Sequence, residues 1–203
     1  MIKLHHAPET RSVRIRWLLE ELGLDYDLVT YKLGDPAMRA PDYLAISPLG
    51  RVPALQDGDI TLSESGAIAQ YILRTYGEGR LEPDGSSPEY ARFLQWIHYA
   101  EGMIMPQINI IVVETVFLPP ERRNETNVAR ARKLLERMMP PIEAALEGRD
   151  FLCGEFSAAD MMTGHATIVS TRIGGVDTSD KPNIKAYVDR LEARPALQKA
   201  RSA

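Results

Sequence analysis

The chain has 203 residues, 44% apolar and 26% charged, with 24 Lys plus Arg against 28 Asp plus Glu. That mixture supports one large domain or two small ones and excludes collagen-like, low-complexity and wholly disordered chains. A net charge of -4 argues against a protein that works by neutralising phosphates, and the single cysteine, Cys153, excludes an internal disulfide and a thiolate zinc finger.

At the N-terminus, Met1-Ile2-Lys3-Leu4 runs straight into His5-His6-Ala7-Pro8, without the long apolar stretch of a secretory signal. The most apolar later run, 108–113, is interrupted by Asn109 and closed by Glu114. That is far short of the roughly 20 apolar residues that span a bilayer. A cytoplasmic protein with neither a membrane nor a nucleic acid as partner is therefore expected.

Ile2-Lys3-Leu4-His5 alternates as a half-buried strand does, and Ser12 opens an amphipathic helix through Val13, Trp17, Leu18 and Leu22 that ends at Gly23. Leu28-Val29-Thr30-Tyr31 is β-branched and aromatic, a second strand. Val52-Pro53-Ala54-Leu55 and Ile60-Thr61-Leu62 flank an Asp-Gly turn and predict a hairpin. Ser63-Glu64-Ser65 then leads into a helix carrying Ala67, Ile68, Tyr71 and Ile72, with Ser65 expected as its N-cap. This order, β-α-β then β-β-α, predicts a thioredoxin-like layer of sheet and helices over residues 1–78. Residues 79–88 are turn-rich and read as a linker.

From 89 to 203 only helical spacing recurs: Tyr90, Phe93, Leu94 and Ile97; Val128, Ala131, Leu135, Met138 and Ile142; Ile184, Tyr187, Val188 and Leu191. Pro140-Pro141 removes two backbone donors and is expected to kink or break the second of these helices. The fold class is thus α/β plus all-α, an N-terminal thioredoxin-like domain followed by a helical bundle.

No phosphate loop is present, and the four histidines lack metal-ligand spacing, so no metal is expected. Three segments carry chemistry when read together. In Ser47-Pro48-Leu49-Gly50-Arg51-Val52-Pro53-Ala54-Leu55, a proline at a strand start leaves Val52 able to offer N–H and C=O to an extended peptide. In Ser63-Glu64-Ser65, a helix start can receive a carboxylate while Glu64 pairs with an ammonium, the two groups of an α-amino acid end. In Ala7-Pro8-Glu9-Thr10-Arg11-Ser12, hydroxyls lie near a helix N-terminus, where a thiolate is stabilised by O–H donation. Each segment also has a plain structural reading, as an edge strand or a cap.

Taken in order, these segments resemble a cytosolic glutathione S-transferase. The resemblance is carried by Trp17-Leu18-Leu19-Glu20-Glu21-Leu22-Gly23, by the Ser-Pro-Leu-Gly-Arg-Val-Pro-Ala-Leu run, by Glu64-Ser65-x-Ala67-Ile68, and by Gly154-Glu155-Phe156-Ser157-Ala158-Ala159-Asp160. The last is similar to that family's structural capping box. The opening Met-Ile-x-Leu-His-His looks closest to bacterial members.

The resemblance implies glutathione as co-substrate, with Val52 pairing its cysteinyl part next to a cis Pro53, Glu64 and Ser65 holding the γ-glutamyl end, and Arg51 facing the glycyl carboxylate. By the family's spacing Thr10 is the hydroxyl that activates the thiol, Ser12 the competing one, and His5 or His6 a more distant alternative. The other partner is a small hydrophobic electrophile held near Tyr99, Met103 and Met105, in a detoxifying homodimer. Two further functions fit the same residues: glutathione-dependent reduction of disulfides or peroxides, and a non-catalytic transferase-like binding module.

Overall fold

The computed structural model describes residues 1–202. Its contacts divide the chain into two compact units, residues 1–81 together with the segment from Glu192 onward, and Glu82–Leu191.

The first unit is built on a four-stranded sheet of order β2-β1-β3-β4, with β1 Ile2–His6, β2 Tyr26–Thr30, β3 Ala54–Asp57 and β4 Ile60–Ser63. β2 runs parallel to β1, whereas β3 is antiparallel to both β1 and β4. The β1-to-β2 crossover is α1, Ser12–Leu22, which buries Val13, Ile15, Trp17, Leu18, Leu19 and Leu22. It ends where Gly23 takes φ 67, with its N–H returning to the carbonyls of Glu20 and Leu19. The connection to β3 contains a short helix α2, Pro41–Ile46, and α3, Ser65–Tyr76, follows β4.

This sheet-and-helix layer is the thioredoxin-like arrangement expected from the sequence. One addition was not expected. A last helix α9, Pro195–Arg201, belongs to this first unit and is tied to α1 by Arg194 on Glu21 (2.6 Å) and Lys199 on Glu20 (2.7 Å). The helical domain expected over 89–203 therefore does not coincide with the second contact unit, which stops at Leu191.

Among its described elements the second unit is helical: α4 Pro88–Tyr99, α5 Met105–Val112, α6 Glu125–Ala145, α7 His165–Arg172 and α8 Pro182–Glu192, the last of which crosses the unit boundary. Wider π-turns at Ala100–Ile104 and Val113–Phe117 extend α4 and α5 into a continuous helical run. Pro88–Phe117 is a run of 30 residues whose most apolar 18-residue stretch is long and apolar enough, by length and composition alone, to cross a membrane. Glu101, Gln107, Asn109 and Glu114 punctuate it, so no unbroken apolar stretch stands out in its sequence. Its buried residues, among them Phe93, Trp96, Ile104, Ile108 and Ile111, lie in the second unit's core.

α6 is not broken at Pro140 and Pro141 but continues through both. Met138, Met139 and Ile142 are all buried, and packing of that apolar face outweighs two missing amide donors.

The Ser157–Asp160 segment forms the expected helix-start box and extends beyond it. The Asp160 carboxylate accepts from Ser157 N (2.9 Å), Ser157 Oγ (3.3 Å), Leu152 N (3.0 Å) and Tyr187 Oη (2.8 Å), all in the interior. Gly164 lies one turn further on, where a Cβ would sit 2.4 Å from Leu191 Cδ1.

Candidate functional site

The sheet register gathers the three chemistry-bearing segments at one end of the first unit. Ala54 pairs with His5 on one side and with Ser63 on the other. The loop after β1 (Thr10, Ser12), the residues before β3 (Arg51, Val52, Pro53) and the residues after β4 (Glu64, Ser65) all leave that single row.

The middle segment is held from behind. Tyr43 Oη and Ser47 Oγ both donate to the Arg51 carbonyl, at 2.8 and 2.9 Å, and Arg51 N donates back to Ser47 Oγ at 3.2 Å. Gly50 takes φ 58 with its α-carbon against the Met38 carbonyl, where a Cβ would come to 2.4 Å, so only glycine fits this turn. Val52 stands outside the ladder, whose β3 pairs begin at Ala54, and its peptide bond to Pro53 is cis. The side chain of Arg51 is exposed. Arg39, which sequence reading passed over, brings a second guanidinium to this loop by donating to the Leu49 carbonyl at 2.9 Å.

At the third segment the structure corrects the expected cap. Ser65 is the first residue of α3, and Glu64 holds the cap position with φ 72 and an exposed side chain. A non-glycine residue in that region of φ costs of order 1–3 kcal/mol and persists only where its surroundings impose it. Ser65 is buried, and its Oγ accepts from Arg14 Nη1 at 3.3 Å. Arg14, a fully buried cation on α1, was not anticipated. Its only sequence signal is an arginine on the apolar face of a helix.

The first segment is a compact hydroxyl network. Thr10 Oγ1 donates to the Ala7 carbonyl (2.7 Å), lies 2.7 Å from Ser12 Oγ, and accepts from Ser12 N (3.2 Å). Ser12 Oγ accepts from Ala7 N (3.0 Å), is within reach of the same Ala7 carbonyl (3.0 Å), and lies 2.8 Å from His6 Nδ1. Ser12 is 0% exposed, whereas Thr10 is half-buried at the loop surface. Burial pulls the His6 imidazole down to about 4, helped by the charge of Arg16, so the ring is neutral near pH 7. His5 is turned elsewhere, with Nδ1 on Tyr31 Oη (2.9 Å) and Nε2 on Gln56 Oε1 (3.0 Å).

Of the residues expected to meet a second substrate, Met105 is buried in the second unit and Tyr99 Oη donates to the Met138 carbonyl at 3.0 Å. Met103 is 44% exposed. Cys153 is buried, and burial pushes its thiol up to about 12, with Asp160 adding to the effect, which leaves it unreactive. Among the described residues no cluster of three or more His, Cys, Asp or Glu could hold a metal ion.

Comparison with known proteins gives consistent matches. The profile described as "Glutathione S-transferase, N-terminal domain" matches residues 1–74, and that described as "Glutathione S-transferase, C-terminal domain" matches 104–195. Glutathione S-transferase 4 of Zea mays is 36% identical over 191 residues, covering 89% of this chain and 82% of that protein. The crystal structure of a glutathione transferase from Methylococcus capsulatus superposes with a TM-score of 0.84 at 29% identity, over 99% of this chain and 97% of the other. A Phanerochaete chrysosporium glutathione transferase, solved in complex with oxidized glutathione, gives 0.86 at 25% identity, over 98% and 94%. These relatives come from a plant, a bacterium and a fungus, so the likeness is not confined to bacterial proteins.

Proposed function

Because the chain belongs to the glutathione S-transferase family and is an enzyme of that class, with glutathione as its co-substrate, we propose a division of labour among its own residues. Val52 pairs its backbone N–H and C=O with the cysteinyl part of glutathione, as an added edge strand would. Ser65 Oγ and the first amides of α3 receive the γ-glutamyl carboxylate, and the Glu64 carboxylate takes the ammonium. Arg51 meets the glycyl carboxylate, with Arg39 behind it. Thr10 Oγ1 donates to the sulfur, and Ser12 supports Thr10 from below.

The observation that carries this reading is the row His5–Ala54–Ser63, which brings the three segments to one end of the sheet.

A free thiol has a pKa of about 8.5 and is only slightly ionised at neutral pH. Lowering it by two units takes about 2.7 kcal/mol of preferential thiolate stabilisation, within reach of one hydroxyl donor and the α1 N-terminus. The thiolate's lone pair then forms a bond to an electrophilic carbon, and the leaving group departs with the electron pair of the bond that breaks. We assign small hydrophobic electrophiles as the second substrate, turned over in the cytoplasm as detoxification.

Ser65→Ala tests the glutamyl corner. Loss of a donor to a carboxylate is expected to raise the Kd and KM for glutathione about 10-fold or more while kcat changes less than about two-fold. Calorimetry with unchanged affinity would contradict the assignment.

We also propose a homodimer. Ile110, Val113 and Phe117 are 40%, 44% and 52% exposed at i, i+3, i+7 spacing on the second unit's longest helical run, a face suited to a second copy. Phe117→Glu is expected to convert the dimer to a monomer in sedimentation analysis. A wild type that sediments as a monomer would refute the assembly.

A further inference from the structure

We propose that His6 is a positioning residue for the thiol-activating step, acting through Ser12 to release the Thr10 hydroxyl toward the glutathione sulfur. This rests on the reading of Thr10 as the sulfur's donor. It follows from counting protons in the network behind the loop.

Two hydroxyls, Thr10 and Ser12, reach one carbonyl, that of Ala7, which lies in a fully buried residue. Each hydroxyl has one proton to give and two lone pairs to fill. Ser12 Oγ already accepts from Ala7 N, and its side-chain neighbours are Thr10 Oγ1 at 2.7 Å and His6 Nδ1 at 2.8 Å. What happens next depends on which ring nitrogen of His6 carries hydrogen.

With hydrogen on Nδ1, His6 donates to Ser12 and fills its second lone pair. Ser12 can then accept nothing from Thr10, and its own proton is available to the Ala7 carbonyl. That carbonyl is satisfied without Thr10, and the Thr10 proton is free to turn outward. With hydrogen on Nε2, Ser12 must donate to Nδ1 instead. Thr10 becomes the hydroxyl left for the Ala7 carbonyl, and turning it to a sulfur would orphan a buried acceptor. The tautomer of a ring that never touches substrate thus decides whether Thr10 can donate.

The surroundings favour the first state. His6 is 0% exposed and its Nε2 has no hydrogen-bond partner. A hydrogen there would be a buried N–H without an acceptor, the rarer kind of unsatisfied group, whereas a bare lone pair is better tolerated. The ring is neutral, so it can hold one hydrogen only, and Nδ1 is the nitrogen with a partner.

The experiment has two arms. Nitrogen-15 spectra of histidine-labelled wild-type protein read the tautomer directly, and hydrogen on Nδ1 is expected; hydrogen on Nε2 overturns the proposal whatever the variants do. In the second arm the pKa of bound glutathione is followed by thiolate absorbance in His6→Leu, which has no donor, and His6→Asn, which keeps an N–H near the Nδ1 position. His6→Leu is expected to raise that pKa by about one unit and lower kcat near neutral pH about ten-fold, with glutathione affinity held within about two-fold, while His6→Asn recovers most of the loss. A thiol pKa in His6→Leu equal to that of wild type overturns the proposal. If His6→Leu fails to fold, His6→Asn and the tautomer still decide it.

Thr10→Val separates the two levels. If Thr10→Val leaves the bound thiol's pKa unchanged, the Thr10 reading itself fails. If Thr10→Val raises it and His6→Leu does not, only the His6 inference fails. Combined with Thr10→Val, His6→Leu is expected to add no further shift, and an additive shift would exclude a route through Thr10.

Discussion

Replacing Asp160 with alanine is expected to lower the unfolding free energy by about 3–5 kcal/mol, read from urea denaturation of the purified protein. The carboxylate is 0% exposed and is shared by four donors from three places in the second unit: Leu152 N, Ser157 N and Oγ, and Tyr187 Oη. Alanine would leave these groups facing a void, and each buried donor without a partner costs about 1–3 kcal/mol. Some relaxation or an entering water brings the sum below the simple total. Burial pushes the Asp160 carboxyl up to about 6, while its donors hold it down. A folded pKa above the unfolded 3.8 means that the folded state binds the proton more tightly. This contribution to stability is therefore full below the unfolded value and is lost as pH rises through about 6. Against Asp160→Asn, which cannot titrate, wild type should gain stability as pH falls across that window. A loss below about 1 kcal/mol in Asp160→Ala would mean that the donors find other partners and that the residue is an ordinary cap.

Much of the first unit was legible because its signals are local. Alternation gave β1, the Asp-Gly turn gave the β3–β4 hairpin, and Gly23 ended α1 with the positive φ that glycine takes readily. The errors arose where tertiary context overrules local preference. Ser65 reads as a cap because serine caps helices, yet Glu64 occupies that place at φ 72, a conformation that no glutamate propensity announces. Pro140-Pro141 reads as a kink or a break, and of these the break does not occur: the helix runs on past the prolines among buried side chains. Helix α9 has seven residues and only two buried apolar side chains, Leu197 and Ala200, too few for periodicity to register. Its place is set by ion pairs to Glu20 and Glu21, far away in sequence.

The candidate site was legible as three motifs but not as a network. Sequence spacing left Thr10 and Ser12 as rivals, since both are small hydroxyls beside the same helix start. Burial distinguishes them: Ser12 is 0% exposed and surrounded by Ala7, Thr10 and His6, while Thr10 reaches the loop surface. In the sequence His6 is one of two adjacent histidines and only a distant alternative for activating the thiol. That it lies under the loop, neutral and bonded to Ser12, depends on the fold of residues 5–12 as a whole. Arg14 and Arg39 were missed for a related reason, because the contacts that bring them to the site, with Ser65 and with the Leu49 carbonyl, come from other segments of the chain.

Thr10→Val should produce the largest loss of activity of any single change at this site. Valine keeps the shape of threonine and removes only the hydroxyl, so glutathione should bind with nearly unchanged affinity. The thiolate loses its one side-chain donor, and removal of a donor to a developing or resident anion costs about 10²–10³ in rate. The bound thiol should titrate more than about one unit higher, short of the value of a free thiol because the α1 N-terminus still acts on it. The loss is therefore pH-dependent. Near pH 6.5 kcat/KM should fall about 100-fold, and the gap should narrow above about pH 8.5, where the thiol ionises without help. Thr10→Ser should restore most of the rate, since it returns the hydroxyl to the same loop. The variant should not be greatly destabilised, because Ser12 Oγ lies 3.0 Å from the Ala7 carbonyl and satisfies it without Thr10. If the pH profile of Thr10→Val overlays that of wild type while Ser12→Ala shifts it, the two hydroxyls exchange roles, and the buried serine must reach the sulfur after the loop opens.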